Sequence, residues 1–168
     1  MRSKRPRLNP ALYVGLQRYF LTFCTSNRRR HFTSDGAFDL VLEQILRTAP
    51  DFDMQMNVYC FMPDHVHLLA DGRTEQADLR QYVHQAKQRA GFEFAKKYGT
   101  RLWQPSFDDH VLRDDEATLS VARYIIENPV RAGLVRSPLD YPYLGSTQYP
   151  IAQVMEAVCW DGGRRRRR

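Results

Sequence analysis

Two histidines separated by one residue are the first feature of this sequence that could do chemistry. His65 and His67 flank Val66 within the segment FMPDHVHLL. In a β-strand, side chains two residues apart point to the same face, so the two imidazoles are predicted to project side by side. Two neutral imidazoles on one face supply half of a metal site. On its own, the pair is more typical of a solvated or hydrogen-bonded strand face than of a metal site.

A tyrosine and an asparagine could complete such a site. A helix is predicted from about Glu116 to Asn128, and its apolar residues form one arc that faces the core. Tyr124 and Asn128 fall outside that arc and lie one helical turn apart on one face. Taken singly, the tyrosine is typical of a packing residue, and an asparagine before Pro129 is typical of an ordinary helix end.

The combination of these residues favours phosphoryl chemistry. A tyrosine attacks phosphorus well only if its proton, with an ordinary pKa of about 10, is lost or polarised and the phosphate charge is neutralised. A divalent cation does both, and two imidazoles with an amide carbonyl leave coordination positions open for a phosphate. We therefore predict that His65, His67 and Asn128 bind a divalent metal, for which Mg²⁺ or Mn²⁺ suits the mixed ligands although histidines also favour Zn²⁺. Tyr124 is the predicted nucleophile.

Positive charge is concentrated at the two ends of the chain. Of the 25 Lys and Arg residues, eight lie in residues 1–34, which contain no acidic residue, and five form the consecutive run 164–168. The middle of the chain is acidic, with twelve basic and nineteen acidic residues. Basic arms on an acidic body predict binding to a polyanion such as nucleic acid, weakening as salt rises. Solubility, or for the terminal arginines a sequence added for expression, is the alternative explanation.

Length and composition predict one folded domain. The 168 residues, 43% of them hydrophobic, suffice for one core. The sequence has no apolar run long enough for a membrane span or a signal peptide, so we expect a soluble, cytoplasmic protein. Three widely spaced cysteines predict neither a disulfide framework nor a cysteine zinc site.

The hydrophobic periodicity predicts the order strand, helix, strand, strand, helix, strand, helix. That order is typical of an α+β fold of the ferredoxin-like (RRM-like) type, an antiparallel sheet with helices packed on one face. We expect residues 1–149 to form a single domain with a basic N-terminal arm. Residues 150–168 are expected to form a C-terminal tail that ends in the arginine run.

Two segments of the sequence resemble one enzyme family. MPDHVHLL, residues 62–69, resembles the histidine-hydrophobic-histidine motif of the HUH single-tyrosine transposases. ARYIIENPVRAGLV, residues 122–135, resembles the tyrosine helix of the REP-associated branch of that family. Further agreement comes from TFCT, residues 22–25, which leads to the arginine loop, and from WQPSF, residues 103–107. The resemblance runs in register from about residue 17 to residue 149.

The resemblance implies a fold of the HUH-endonuclease type and a specific reaction. Tyr124 would attack single-stranded DNA, form a 5′-phosphotyrosine link and free a 3′-hydroxyl that can later rejoin strands, with a divalent metal and without ATP. The substrate would carry an imperfect, REP-like hairpin, which places the protein in the cytoplasm in association with the nucleoid. A monomer is expected rather than a homodimer. The predicted DNA contacts are Arg2, Lys4, Arg5, Arg7, Arg28, Arg29, Arg30, Arg80 and Lys87.

Two other functions use the same features. A DNA-hairpin binding protein with little or no turnover would need the basic residues, but it would not need Tyr124 and Asn128 on one face. A ferredoxin-like RNA-binding domain, in which aromatic residues of the sheet stack on bases, is the third possibility.

Overall fold

Four α-helices and five strands are the main elements of residues 9–159, the part of the chain that the computed structural model describes. In chain order they are β1 (Arg18–Cys24), α1 (Asp35–Thr48), β2 (Met54–Met62), β3 (His65–Gly72), α2 (Leu79–Tyr98), β4 (Asp108–Leu112), α3 (Asp115–Arg131), β5 (Leu144–Ser146) and α4 (Ile151–Cys159). The first seven follow the predicted order, and β5 and α4 are added at the C-terminal end. None of the helices in this described range is long and apolar enough to cross a membrane.

The five strands form one antiparallel sheet in the order β4-β1-β3-β2-β5. β2 and β3 are consecutive and form a hairpin in which Met62 pairs with His65, so that only Pro63 and Asp64 make the turn. β1 pairs with the other side of β3 and with β4. This architecture confirms the predicted α+β fold, and it puts the histidine strand at the centre of the sheet.

The helices lie on both faces of the sheet, in two pairs. α1 and α2 pack on one face, where the larger core includes Leu21, Phe23 and Leu68. α3 and α4 lie on the other face, over a second core that includes Val58, Cys60 and Ile125. The expected arrangement of helices on one face therefore describes α1 and α2 only. Near the end of β2, residues that point to either face of the sheet are buried, because α3 and α4 cover the second face.

A β-bulge in β2 changes which residues of the strand face each core. The pairing with β3 shifts between Met56 and Val58, so one extra residue stands on the β2 side. Met54 and Met56 before the shift belong to the larger core, whereas Val58 after it belongs to the second core and Phe61 to the larger one. The bulge thus exchanges the faces of even-numbered and odd-numbered residues.

α3 is longer than the sequence predicts because a proline does not end it. The side chain of Asp114 accepts a hydrogen bond from the amide of Ala117 and caps the first turn. Pro129 was expected at a boundary or kink, yet the helix runs through it to Arg131. It ends where Gly133 adopts a left-handed φ of 71°. The extra turn brings Arg131 onto the same helix as Tyr124.

The segment from residue 150 onwards, predicted to be a tail, begins with a packed helix. Val158 of α4 is 4% exposed and lies in the second core, against residues of α3. Ile151, Val154 and Met155 pack on the same cluster. The arginine run lies outside the described residues.

Candidate active site

The two predicted histidines meet at the start of β3. Their Nε2 atoms are 3.2 Å apart, and their rings stand at 80° to one another. Two nitrogens that bind one ion at about 2.1 Å in cis positions are separated by roughly 3.0–3.4 Å. The observed separation is compatible with one ion bound by both nitrogens, and the metal-binding role of the pair stays a prediction.

The other nitrogen of each ring is held by a neighbour. Nδ1 of His65 lies 2.6 Å from Oδ1 of Asp64, and Nδ1 of His67 lies 3.0 Å from Oγ1 of Thr22. A carboxylate only accepts, so Nδ1 of His65 carries the proton and Nε2 keeps its lone pair. In metal-binding histidines, one ring nitrogen is likewise hydrogen-bonded to a neighbouring group and the other binds the metal. Thr22 is placed opposite His67 by the register of β1 on β3.

Burial keeps both imidazoles neutral. It is the main cause that lowers the pKa of His67 to about 3, and the charges of His65, Arg28 and Arg131 add to it. Burial also lowers the pKa of His65, although the hydrogen bond with Asp64 opposes the change. For Asp64, burial raises the pKa, but His65 and Arg28 outweigh it and the net shift is downwards. The pair is therefore in the protonation state that metal binding requires.

Tyr124 lies beside this pair, as the predicted nucleophile would have to. Its side chain belongs to a residue that is 37% exposed, so the phenol is accessible. The ring centroid is 5.5 Å from that of His67 and 5.7 Å from that of Phe20, with both contacts edge-on. The guanidinium of Arg131 lies over the ring, with Cζ 4.4 Å from the centroid. His67, Phe20 and Arg131 together fix the orientation of the Tyr124 side chain.

Asn128 is half-buried on α3, one turn after Tyr124. Its backbone carbonyl accepts a hydrogen bond from the amide of Ala132. Within residues 9–159, no group of three His, Cys, Asp or Glu side chains is placed to hold a metal ion. A metal on the histidine pair would thus need a ligand of another type, and an amide oxygen is one. The role of Asn128 stays a prediction.

The arginine loop after β1 reaches the site, but each arginine has a different environment. Arg28 Nε lies 2.8 Å from Oδ2 of Asp64. Nη1 of Arg29 donates to Oγ1 of Thr100 at 3.2 Å, on the far side of the loop. Arg30 is exposed. The loop thus borders the histidine pair, and its suggested DNA contacts stay predictions.

The other predicted DNA contacts are not brought to the histidine pair. Arg80 lies at the start of α2, over the ring of Tyr13 at 5.5 Å, on the opposite face of the sheet. Nζ of Lys87, also on α2, donates to the carbonyls of Gln104 and Ser106 at 2.9 and 2.8 Å, so its ammonium is engaged within the protein. Four further predicted contacts lie outside the described residues: Arg2, Lys4, Arg5 and Arg7.

Sequence reasoning missed three neighbours of the site. Thr22 and Phe20 face His67 because of strand register, which the sequence does not reveal. Arg131 could have been found, because it follows Tyr124 by seven residues and therefore lies on the same helix face. The prediction that Pro129 ends the helix concealed it.

Comparisons with known proteins agree with this fold. The profile of the IS200-like transposases matches residues 13–128, and the chain belongs to that family. It is 22% identical over 151 residues to the REP-associated tyrosine transposase of Escherichia coli K12, covering 89% of this chain and 88% of the relative. A protein of Haemophilus influenzae, named as a candidate of the same type, is 28% identical over 140 residues, with 74% and 77% covered.

A solved structure shares the fold. A REP-associated tyrosine transposase bound to a REP hairpin superposes with a TM-score of 0.71 at 23% identity, covering 84% of this chain and 81% of the other. The resemblance stated from the sequence is therefore confirmed at the level of family and fold.

Proposed function

We propose that this protein is a metal-dependent endonuclease and strand transferase that acts on single-stranded DNA carrying a REP-like hairpin. Tyr124 is the nucleophile and the product is a 5′-phosphotyrosine intermediate. The observation that carries the proposal is the contact of the Tyr124 ring with His67, whose Nε2 faces that of His65. A phenol beside two neutral imidazoles is what phosphoryl transfer to tyrosine requires.

The proposed cleavage exchanges one phosphoester bond for another. The phenol oxygen of Tyr124 forms a bond to phosphorus, and the bond from phosphorus to the 3′-oxygen of the preceding nucleotide breaks. The phenol proton is released to solvent and the leaving oxygen takes up a proton, so that a 3′-hydroxyl results. The reverse reaction with another 3′-hydroxyl rejoins strands, since the phosphotyrosine conserves the energy of the phosphodiester.

The residues of the site fit a divalent metal cofactor. His65 and His67 would hold it through nitrogen, and Asn128 would add an oxygen, a ligand set that suits Mg²⁺ or Mn²⁺. When bound, such an ion polarises the phosphate as a Lewis acid. The protein itself orients the phenol, through Phe20 and Arg131, and it excludes water from the buried side of His67.

Two arguments support hairpin DNA as the substrate. The solved relative was bound to a REP hairpin, and this chain shares its fold over most of its length. The loop of Arg28, Arg29 and Arg30 lies next to the histidine pair, where a phosphate backbone that reaches Tyr124 would pass. Arginines in such a position bind phosphates without reading sequence.

The test is covalent capture. Hairpin oligonucleotides with single-stranded flanks are incubated with the protein and Mg²⁺ or Mn²⁺, and adducts are counted on a denaturing gel. The wild-type protein should form an adduct that Tyr124→Phe does not form and that a chelator prevents. Tyr149→Phe removes the same hydroxyl from an exposed residue and should behave as wild type.

Two outcomes would redirect the proposal. An adduct that persists in Tyr124→Phe would show that another residue is the nucleophile. Hairpin binding in chelator with no cleavage under any metal would instead favour the binding protein without turnover, and a preference for RNA in competition would favour the RNA-binding alternative.

A further inference from the structure

Arg28 contacts the protein with part of its guanidinium, although its side chain is 51% exposed and lies in a basic loop. Its Nε lies 2.8 Å from Oδ2 of Asp64, and its Nη1 contacts the sulfur of Cys24. Oδ1 of the same carboxylate is 2.6 Å from Nδ1 of His65. Nη2 of Arg28 is 3.5 Å from that nitrogen, too far for a strong hydrogen bond. The carboxylate therefore lies between the arginine and the histidine, with one oxygen on each.

The backbone that delivers Arg28 is strained. Asn27 and Arg28 both adopt left-handed conformations, with φ of 54° and 56°, although neither is glycine. Strained residues of this kind persist only where surrounding contacts fix them, and they concentrate at functional sites. Such a conformation is not needed for an arginine that reaches into solvent toward DNA.

The contacts that fix the loop run to the same hairpin turn that carries Asp64. Oγ1 of Thr25, which is fully buried, lies 2.7 Å from the Arg29 carbonyl and 2.9 Å from the Asp64 carbonyl, so its one hydroxyl proton is shared between these two acceptors. The amide of Thr25 donates to the Asp64 carbonyl, and that of Phe32 donates to the Pro63 carbonyl, both at 3.0 Å. Hydrogen bonds thus join the arginine loop to the turn before His65 both before Arg28, at Thr25, and after it, at Phe32.

We propose that Arg28 is a positioning residue, which holds the Asp64 carboxylate so that His65 keeps its proton on Nδ1 and presents Nε2 to the metal. The inference rests on the proposed function for the use of that metal. A carboxylate behind a metal-binding histidine sets the tautomer and orientation of the ring. Arg28 fixes that carboxylate in turn, with its second oxygen.

The direction in which metal affinity changes when Arg28 is removed distinguishes a positioning role from the effect of its charge alone. Arg28 is a cation close to the histidine pair, so its charge alone would weaken metal binding, and its removal would then strengthen it. A positioning role gives the opposite sign, because loss of Arg28 lets Asp64 rotate and the tautomer of His65 change. A DNA-contact role gives no loss of metal binding, so that removal of Arg28 would leave it unchanged or tighter.

The experiment measures Mn²⁺ binding by calorimetry on the full-length protein without DNA. Arg28→Met should bind Mn²⁺ roughly tenfold more weakly, and Asp64→Asn about 10- to 100-fold more weakly. The double variant should match Asp64→Asn alone, because Arg28 acts through that carboxylate. Arg28→Lys should restore part of the loss. Arg30→Met removes the same charge from the same loop and should leave Mn²⁺ affinity unchanged.

A second readout needs no metal. Long-range ¹H–¹⁵N NMR spectra should show His65 in its Nδ1–H form in the wild type, and a mixture of tautomers in Arg28→Met. Unchanged or tighter Mn²⁺ binding in Arg28→Met, or an unchanged tautomer, overturns the positioning role. If the wild-type protein binds no Mn²⁺, the proposed metal function fails, and the tautomer measurement still decides the role of Arg28.

Discussion

The ring of Tyr124 stands edge-on to the ring of His67, with centroids 5.5 Å apart and planes at 71°. One residue belongs to α3 and the other to the central strand, so the two halves of the predicted site meet only through the fold. The contact is made on the face of the sheet that α3 partly covers, and Phe20 touches both rings from the neighbouring strand.

His67→Gln should abolish adduct formation while hairpin binding persists. The substitution removes a buried nitrogen that faces His65, and loss of a ligand of a catalytic metal is expected to lower the rate by a factor of about 100 or more. His84→Gln is the matched control, since His84 is exposed on α2, on the opposite face of the sheet. Adduct yield and gel-shift affinity are measured side by side. Equal adduct yield in His67→Gln and wild type would remove His67 from the site.

Arg131→Met should slow adduct formation by roughly tenfold, because it removes the cation that lies over the Tyr124 ring. Contacts of this kind contribute about 0.5–2 kcal/mol, which corresponds to about 2- to 30-fold in rate. Arg131→Lys should lose less. Arg123→Met serves as the control on the same helix, since Arg123 pairs with Glu127 along the surface. Single-turnover rates that are alike in both methionine variants would contradict the prediction.

Gly72→Ala should destabilise the protein by about 2–3 kcal/mol, since a Cβ at this position would overlap the backbone carbonyl of Gly15. Gly99→Ala meets no atom within 4 Å, and it should show only the penalty of its left-handed φ of 69°, about 1 kcal/mol. Urea unfolding of both variants checks the difference. If the free energy of unfolding fell less in Gly72→Ala than in Gly99→Ala, the backbone at Gly72 would not lie against the carbonyl of Gly15 as described.

His31 should make the protein less stable in acid. Burial, followed by the charge of Arg29, lowers the pKa of His31, whose ring packs on Phe94 with centroids 4.9 Å apart. The unfolded chain then binds the proton more readily, so this stability is present above pH ~6.5 and is lost as pH falls. In His31→Phe, the free energy of unfolding should fall less between pH 8 and pH 5 than in wild type. Parallel pH profiles for the two proteins would contradict this.

The sequence sufficed to predict the strand and the helix that carry the residues of the candidate site. Alternation placed His65 and His67 on one face of a strand, and helical spacing placed Tyr124 on an accessible face, because both patterns depend on neighbours along the chain. The family resemblance indicated that the histidine strand and the tyrosine helix belong to one site. Thr22 and Phe20 escaped prediction since their contacts with His67 follow from which strands pair, a property of the whole sheet.

One local rule failed at Pro129. This residue has no amide hydrogen for a helical hydrogen bond, yet it is buried inside α3 and the helix continues to Arg131. The charges of Arg28 and Lys87 predict DNA contacts, and these stay predictions; the structure adds that Arg28 also lies on Asp64 and Lys87 on two carbonyls. Charge in a sequence shows which residues could bind phosphate, but it does not show which are already engaged by the protein.

β1 connects both halves of the site through one short strand. At its start, Arg18 bonds to Asp115 and Thr118 in the first turn of α3, and four residues later Thr22 bonds to His67. Both halves of the candidate site are therefore attached to one strand, in addition to the core that holds α3 on the sheet. Under the proposed function, a substrate would meet groups already in place, and its binding energy would not be used up in assembling them.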